Sequence, residues 1–154
     1  MFFSQDMKDL LEIFRELDVQ AVLVGGFAVN YYGYTRATQD IDLLVLPSQD
    51  NAQRVMEALS RFGFGAAGIP RELFEREGGV VHLGSEPNRI DLLTHLRGVS
   101  NDQVFSNRIQ AELETIPIDV IALPDLIAAK RASSRTRDLA DAVELEKLLG
   151  AHRS

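Results

Sequence analysis

The 154-residue chain has no cysteine, and its 16 lysines and arginines are outnumbered by 23 aspartates and glutamates. Without cysteine, disulfides, thiolate catalysis and cysteine-ligated zinc are excluded. The formal net charge of −7 argues against broad, non-specific binding to nucleic acid, because that binding needs an extended basic surface. An acidic chain can still hold a polyanion locally if a metal ion or a basic cluster mediates the contact.

Long apolar runs are also absent, and none approaches the ~20 residues that a membrane-spanning helix needs. The first residues, MFFSQDMKDLL, lack the basic segment and apolar core of a secretory signal. We therefore expect a cytoplasmic protein with no membrane partner. Its hydrophobic fraction of 45% and charged fraction of 25% are those of a soluble globular chain. We expect one domain over 1–154, with a core at about 4–122 and a C-terminal helical part at about 124–149.

The spacing of apolar residues predicts helices and strands without a regular alternation of the two. Ser4 and Ser48 are predicted N-caps, and Gly150 is predicted to end the last helix. The predicted helices cover about 5–17, 27–32, 48–62, 102–109, 124–132 and 137–149, and the predicted strands 20–24, 40–46, 79–83, 89–96 and one or two within 111–122. This order favours an α+β fold with helices on a small mixed sheet.

Two aspartates interrupt the apolar strand DIDLLVL. Asp40 and Asp42 are two residues apart, so both carboxylates lie on one face of the strand, some ~7 Å apart. Like charges there repel each other and resist desolvation, but a divalent cation between them makes the arrangement favourable. Oxygen ligands suit Mg²⁺ or Mn²⁺. Asp91, flanked by apolar residues in RIDLL, is the expected third ligand, and three such acids can hold two metals ~3.5–4 Å apart.

A glycine pair, Gly25-Gly26, follows the strand QAVLV and precedes a predicted short helix. A backbone without side chains at such a junction can approach phosphate oxygens closely. The sequence is neither G-x-x-x-x-G-K-[ST] nor G-x-G-x-x-G. The glycines therefore suggest phosphate contact without belonging to either of those two motifs.

The combination of these motifs resembles a known superfamily. An apolar residue with Gly-Gly, then Asp-x-Asp, then a third acid on a later strand resembles the nucleotidyltransferases typified by DNA polymerase β. More closely, LVGGFAVNYYGYTRATQDIDLLV with LIAAKRASSRTRDLADAVEL resembles the small bacterial nucleotidyltransferases of the AbiEii toxin type, over residues 22–149. The resemblance implies transfer of a nucleoside monophosphate from an NTP to an acceptor, with release of pyrophosphate.

The resemblance also implies roles for individual residues. Asp40, Asp42 and Asp91 would hold the metal ions, and Asp91 would orient or deprotonate the acceptor hydroxyl. The remaining site residues would contact the nucleotide or shape the loop around it. They are Gly25 and Gly26 at the triphosphate, Arg36 and Thr38 in the lead-in TRATQD, Lys130 at the pyrophosphate, and Arg137 with Asp138, which pair with each other or with the loop.

Some residues near these motifs also have ordinary structural explanations. The basic stretch 130–137 is either a solvated helix end or a landing strip for triphosphate or a tRNA end. We interpret His82 as a hydrogen-bonded structural histidine and Asp141 as a surface carboxylate.

The acceptor stays open at this point. The resemblance suggests tRNA or a partner protein in a toxin–antitoxin system, or a small molecule such as a lincosamide or aminoglycoside antibiotic. A non-catalytic antitoxin or binding module of the same fold is the alternative from another class.

Overall fold

The computed structural model describes residues 3–34, 40–63, 68–84 and 88–153, with side chains to residue 150. The helices in these ranges are α1 (Gln5–Glu16), α2 (Gly25–Tyr31), α3 (Gln49–Phe62), α4 (Asn101–Asn107), α5 (Leu123–Arg131) and α6 (Thr136–Arg153). The strands are β1 (Ala21–Val24), β2 (Ile41–Val45), β3 (Val80–Leu83), β4 (Ile90–Leu93), β5 (Ile109–Leu113) and β6 (Ile116–Val120), and a 3₁₀ turn covers Arg71–Phe74.

The strands of the described ranges form one mixed sheet in the order β3-β4-β2-β1-β6-β5. The pairs β2–β4 and β1–β6 are parallel, and β1–β2, β3–β4 and β5–β6 are antiparallel. This mixture of parallel and antiparallel pairs, flanked by helices, confirms the predicted α+β class. It also makes β2 and β1 central strands, which explains why Leu43, Leu44 and Val45 are all buried on β2.

The helix boundaries follow local signals in the sequence. The hydroxyl of Ser4 accepts a hydrogen bond from the backbone N–H of Met7, and that of Ser48 accepts from Asn51, as N-caps do. Gly63 ends α3 in the left-handed conformation, at φ 101°. The apolar side of α1 is buried, and α1 packs against α3 while α5 packs against α6 and α2.

Several predicted boundaries are wrong. The helix predicted at 102–109 ends at Asn107, and the strand predicted at 89–96 ends at Leu93. Helix α2 begins at Gly25 instead of residue 27. Pro117 does not interrupt a strand, because the chain turns at Glu114 and Thr115, both with positive φ, and Pro117 lies inside the edge hairpin β5–β6. Helix α6 continues through Gly150 to residue 153, since one glycine costs a helix only about 1 kcal/mol.

None of the helices in the described ranges is both long and apolar enough to cross a bilayer.

Candidate active site

The predicted acids come from two adjacent parallel strands. In the β2–β4 register Asp42 stands directly beside Asp91, and Asp40 immediately precedes β2. On the other side of β2, Val24 at the end of β1 pairs with Asp42, which brings Gly25 to the same place. Strand pairing therefore gathers Asp40, Asp42, Asp91 and Gly25 at one end of the sheet, where the sequence predicted a site.

Gly25 touches the acid cluster with its backbone. Its φ is +70°, and a Cβ built there would lie 2.1 Å from Oδ2 of Asp42. Such a separation is far inside van der Waals contact, so the approach of the Asp42 carboxyl to the chain requires a glycine. Besides its predicted role at a phosphate, Gly25 therefore has a structural role, because the absence of a side chain leaves room for the Asp42 carboxyl.

Asp42 and Asp91 interact as a carboxyl pair. The pKa of Asp42 is raised to about 7 by burial first, then by the charge of Asp91 and a side-chain hydrogen bond with it, whereas the charge of Lys130 opposes the shift. Asp42 is therefore the member of the pair that holds a proton more readily, and the Asp91 carboxylate accepts the hydrogen bond from the protonated Asp42.

Asp91 has two further partners that the sequence did not assign. Nε and one NH2 nitrogen of Arg89 donate to its two oxygens at 2.7 and 3.1 Å, and Nδ1 of His82 lies 2.6 Å from Oδ1. Although burial works to raise the pKa of Asp91, the hydrogen bonds and charges of Arg89 and His82 lower it.

The prediction that His82 is hydrogen-bonded is confirmed by its contact with Asp91. The His82 side chain is 54% exposed, and it contacts a predicted site residue, because it pairs with Asp91 in the β3–β4 register.

A second charged cluster lies on α5 and α6. The buried ammonium of Lys130 is 2.9 Å from Oδ1 of Asp138 and 3.2 Å from Oδ2 of Asp141. Asp138 also accepts from Oγ of Ser133 and from Nε of Arg135, each at 2.7 Å. Burial works to raise the pKa of Asp138, but these donors outweigh it and lower the pKa to about 2.

The interpretation of Asp141 as a surface carboxylate is wrong, because only 1% of this residue is exposed. It lies three positions after Asp138 on α6, and the packing of α6 against α5 turns both carboxylates toward Lys130. The partners found for Asp138 lie on α5 and the segment before α6, so its pairing with neighbouring Arg137 gains no support.

The two clusters line one cleft of about 870 Å³. Most of the predicted site residues border it, together with several that the sequence did not single out. The predicted ones are Gly25, Gly26, Asp40, Asp42, Asp91, Lys130, Arg137 and Asp138, and the additional ones include Arg89, Arg97, Ser133, Ser134 and Arg135. Arg36 and Thr38 lie outside the described residues.

The acids fit a divalent cation by their chemistry. They offer oxygen donors only, which suit Mg²⁺ or Mn²⁺. The raised pKa of Asp42 reflects its burial first and then the neighbouring charge of Asp91, and a bound cation would offset both effects. Among the residues that the structure describes, no three His, Cys, Asp or Glu side chains are arranged to hold a metal ion as they stand. Instead, the guanidinium of Arg89 contacts both Asp40 and Asp91. A three-acid metal site therefore stays a prediction.

Comparison with known proteins places the fold. No protein-family model and no curated protein sequence matches the chain. Among solved structures, the antibiotic-resistance factor ANT(2'')-Ia is similar at TM-score 0.54 and 14% identity, over 96% of this chain and 89% of that one. A nucleotidyltransferase-type protein of Thermotoga maritima gives 0.57 and 14%, over 94% and 90%. The lincosamide adenylyltransferase LnuA, solved with lincomycin, gives 0.55 and 13%, over 95% and 98%. The chain therefore has the nucleotidyltransferase fold.

Proposed function

We propose that this protein transfers a nucleoside monophosphate from an NTP to an acceptor, with Mg²⁺ or Mn²⁺ as cofactor and pyrophosphate as the leaving group. One observation carries the proposal: Asp42 and Asp91 stand side by side on parallel strands, against the backbone of Gly25, in a cleft of about 870 Å³. The fold shared with known nucleotidyltransferases supports the same reaction.

Asp40, Asp42 and Asp91 would hold the metal. When bound, a divalent ion in such a site stabilises the charge that develops on the attacking oxygen and on the transferred phosphoryl group. Asp91, whose pKa is lowered, stays ionised and can orient the acceptor hydroxyl or accept its proton. The protein's own contribution is to fix these oxygens on two rigid strands before the substrates arrive.

The triphosphate would lie between the glycine pair and α5. Gly25, Gly26 and Lys130 border the same cleft. Asp138 and Asp141 hold the Lys130 ammonium in place, so that its charge is positioned to offset the negative charge of the departing pyrophosphate. Arg137 borders the same cleft, and Arg36 and Thr38 are predicted phosphate contacts.

Two classes of acceptor are supported by different observations. The resemblance to AbiEii-type proteins favours a tRNA or protein acceptor in a toxin–antitoxin system. The fold neighbours that modify or resist antibiotics, over 89% and 98% of whose chains this protein aligns, favour a small-molecule acceptor as the second candidate. The same catalytic centre serves either class, because the acceptor only has to present a hydroxyl group to it.

The experiment incubates the protein with Mg²⁺ and each α-labelled NTP, and follows pyrophosphate and label transfer to tRNA, protein and antibiotic acceptors. Asp42→Asn and Asp91→Asn should abolish both signals. The matched control is Asp125→Asn, because Asp125 is also buried, at 2% exposed, but is held by Gln103 and Asn107 and does not border the cleft.

Undiminished transfer by both site variants would refute the assignment of the acids. Failure to release pyrophosphate from any NTP, together with no metal binding by calorimetry, would favour a non-catalytic antitoxin or binding module instead.

A further inference from the structure

Arg89, which the sequence did not single out for the site, contacts two of the three acids. Its backbone N–H donates to Oδ1 of Asp40 at 3.0 Å, and one NH2 nitrogen lies 3.7 Å from Oδ2 of the same residue. Its Nε donates to Oδ1 of Asp91 and its Nη2 donates to Oδ2. One guanidinium thus spans two of the three acids, which approach each other from β2 and β4.

The geometry of this contact makes it strong. Both oxygens of Asp91 receive N–H groups from a planar guanidinium, the two-pronged arrangement that arginine forms with carboxylates. The side chain of Asp91 is 8% exposed and that of Arg89 is 28% exposed, so water screens the pair only in part. The Arg89 side chain also borders the cleft, so it has open space into which it can move when it leaves Asp91.

A divalent ion would need the same carboxylate oxygens. Those of Asp91 are already engaged by Arg89 and His82, and one of Asp40 is engaged by the Arg89 backbone. Any contact that stabilises the metal-free protein more than the metal-bound protein lowers the affinity for metal. The guanidinium of Arg89 is such a contact, since it supplies the positive charge that the ion would otherwise supply.

We propose that Arg89 is the internal counter-cation of the acid cluster, which holds Asp40 and Asp91 together in the metal-free protein and competes with the divalent ion for Asp91. The inference rests on the proposed function and adds a positioning residue to it. Metal binding then includes the release of the guanidinium from Asp91 toward the cleft, on the side where the triphosphate would lie. Arg89 sets the metal affinity below what the three acids alone would give.

The test measures Mn²⁺ binding by calorimetry and thermal unfolding with and without Mn²⁺, in the absence of nucleotide. Arg89→Gln should lower the melting temperature of the metal-free protein, and it should bind Mn²⁺ about tenfold more tightly, as expected for the loss of one charge-assisted contact that opposes binding. Its Mn²⁺-dependent rise in melting temperature should exceed that of the wild type. Arg89→Lys keeps the charge but loses the two-pronged grip, so its affinity should fall between the two.

Arg97→Gln is the matched control. Arg97 borders the same cleft and, among the contacts of the described residues, has no ion pair with an acid of the cluster. The Arg97→Gln variant loses the same charge but no ion pair with the three acids, so its Mn²⁺ affinity should change less than that of Arg89→Gln.

The outcomes separate this inference from the proposed function. Mn²⁺ binding by the wild type with unchanged or weaker binding by Arg89→Gln overturns the inference alone. Absence of Mn²⁺ binding in the wild type and in both Arg89 variants overturns the inference and the proposed metal site together. Equal gains in Arg89→Gln and Arg97→Gln also overturn it, because general electrostatics then explains the effect. If Arg89→Gln does not fold, Arg89→Lys decides, and binding no tighter than wild type overturns the inference.

Discussion

Replacing Gly25 by alanine probes how tightly the acid cluster is built against the chain. An alanine Cβ would lie 2.1 Å from Oδ2 and 2.9 Å from Cγ of Asp42, so the Asp42 side chain has to move. The residue also keeps φ at +70°, a region that L residues enter at a cost. We expect Gly25→Ala to destabilise the fold and to displace the Asp42 carboxyl from its place beside Asp91.

The loss of unfolding free energy caused by Gly25→Ala has two contributions. A left-handed backbone costs an L residue about 1–2 kcal/mol, and forcing an extra methyl group into a filled site costs typically ~1–3 kcal/mol. Their sum is about 2–5 kcal/mol, which for a chain of this size lowers the melting temperature by roughly 5–20 °C. In the active protein, a misplacement of about 1 Å in the reacting groups lowers the rate on the order of 10²-fold.

Gly33 provides the matched control. Its φ is +106°, and a Cβ built there would meet nothing within 4 Å. Gly33→Ala therefore carries the backbone contribution alone, and because +106° lies farther from the left-handed region of L residues, that contribution is no smaller than at Gly25. Urea unfolding of both variants therefore gives a lower bound on the part of the Gly25→Ala cost that belongs to the contact with Asp42. An Asp42→Ala background should remove that part of the cost.

A cost of Gly25→Ala that is unchanged in the Asp42→Ala background would refute the reasoning. The contact with Asp42 would then be soft, and the close approach of Gly25 would not position the carboxyl.

Two further predictions concern the cluster on α5 and α6. Lys130→Met should lower the free energy of unfolding by about 3–5 kcal/mol, because it removes the buried ammonium that Asp138 and Asp141 share. Urea unfolding checks this against Lys147→Met, whose exposed pair with Glu144 should change stability by less than about 0.5 kcal/mol. The pKa of Asp138 is lowered to about 2, so its ionisation stabilises the fold above the unfolded value of about 4 and that contribution is lost as the pH falls through about 2. The stability difference between wild type and Asp138→Asn should therefore be constant above about pH 4 and shrink below it, and a difference independent of pH would contradict the assignment.

The sequence was sufficient to predict where the acids lie. Asp42 and Asp91 each interrupt a short apolar run, and an interruption of that kind survives in a buried strand only where the charge has a use or a partner. Period-two geometry put Asp40 with Asp42, and the apolar flanks of Asp91 identified a second strand. The adjacency of these strands is a tertiary fact, yet the spacing of the motifs was enough to suggest it.

The partners of the acids were harder to predict, because they depend on strand register. Arg89 precedes β4 by one residue and acts on Asp91 two positions later, a local relationship that the sequence does show. His82 reaches Asp91 across the β3–β4 pair, and both of these segments were predicted to be strands. The signal was therefore present, but pairing the strands residue by residue needed a register that apolar spacing alone does not fix.

Asp141 shows what the sequence could not provide. Its spacing from Asp138 places both residues on one side of α6, but spacing does not tell whether that side faces water or α5. Helix α6 is polar on much of its surface, and its exposed Leu139 and Val143 reverse the usual relationship between hydrophobicity and burial. The packing of α5 against α6 decides the matter, because Lys130 supplies the cation that makes two buried carboxylates tolerable.

The two charged clusters of the cleft act on each other through Asp42. Arg89 is engaged by Asp40 and Asp91, and Lys130 by Asp138 and Asp141, so each of these cations is held by a pair of carboxylates. Lys130 borders the same cleft and works against the rise of the Asp42 pKa. Removal of the Lys130 charge should therefore favour the protonated form of Asp42 as well as freeing Asp138 and Asp141 from their cation. A change on the helical side is thus expected to alter the charge of the acid cluster, even though the two sides belong to different parts of the chain.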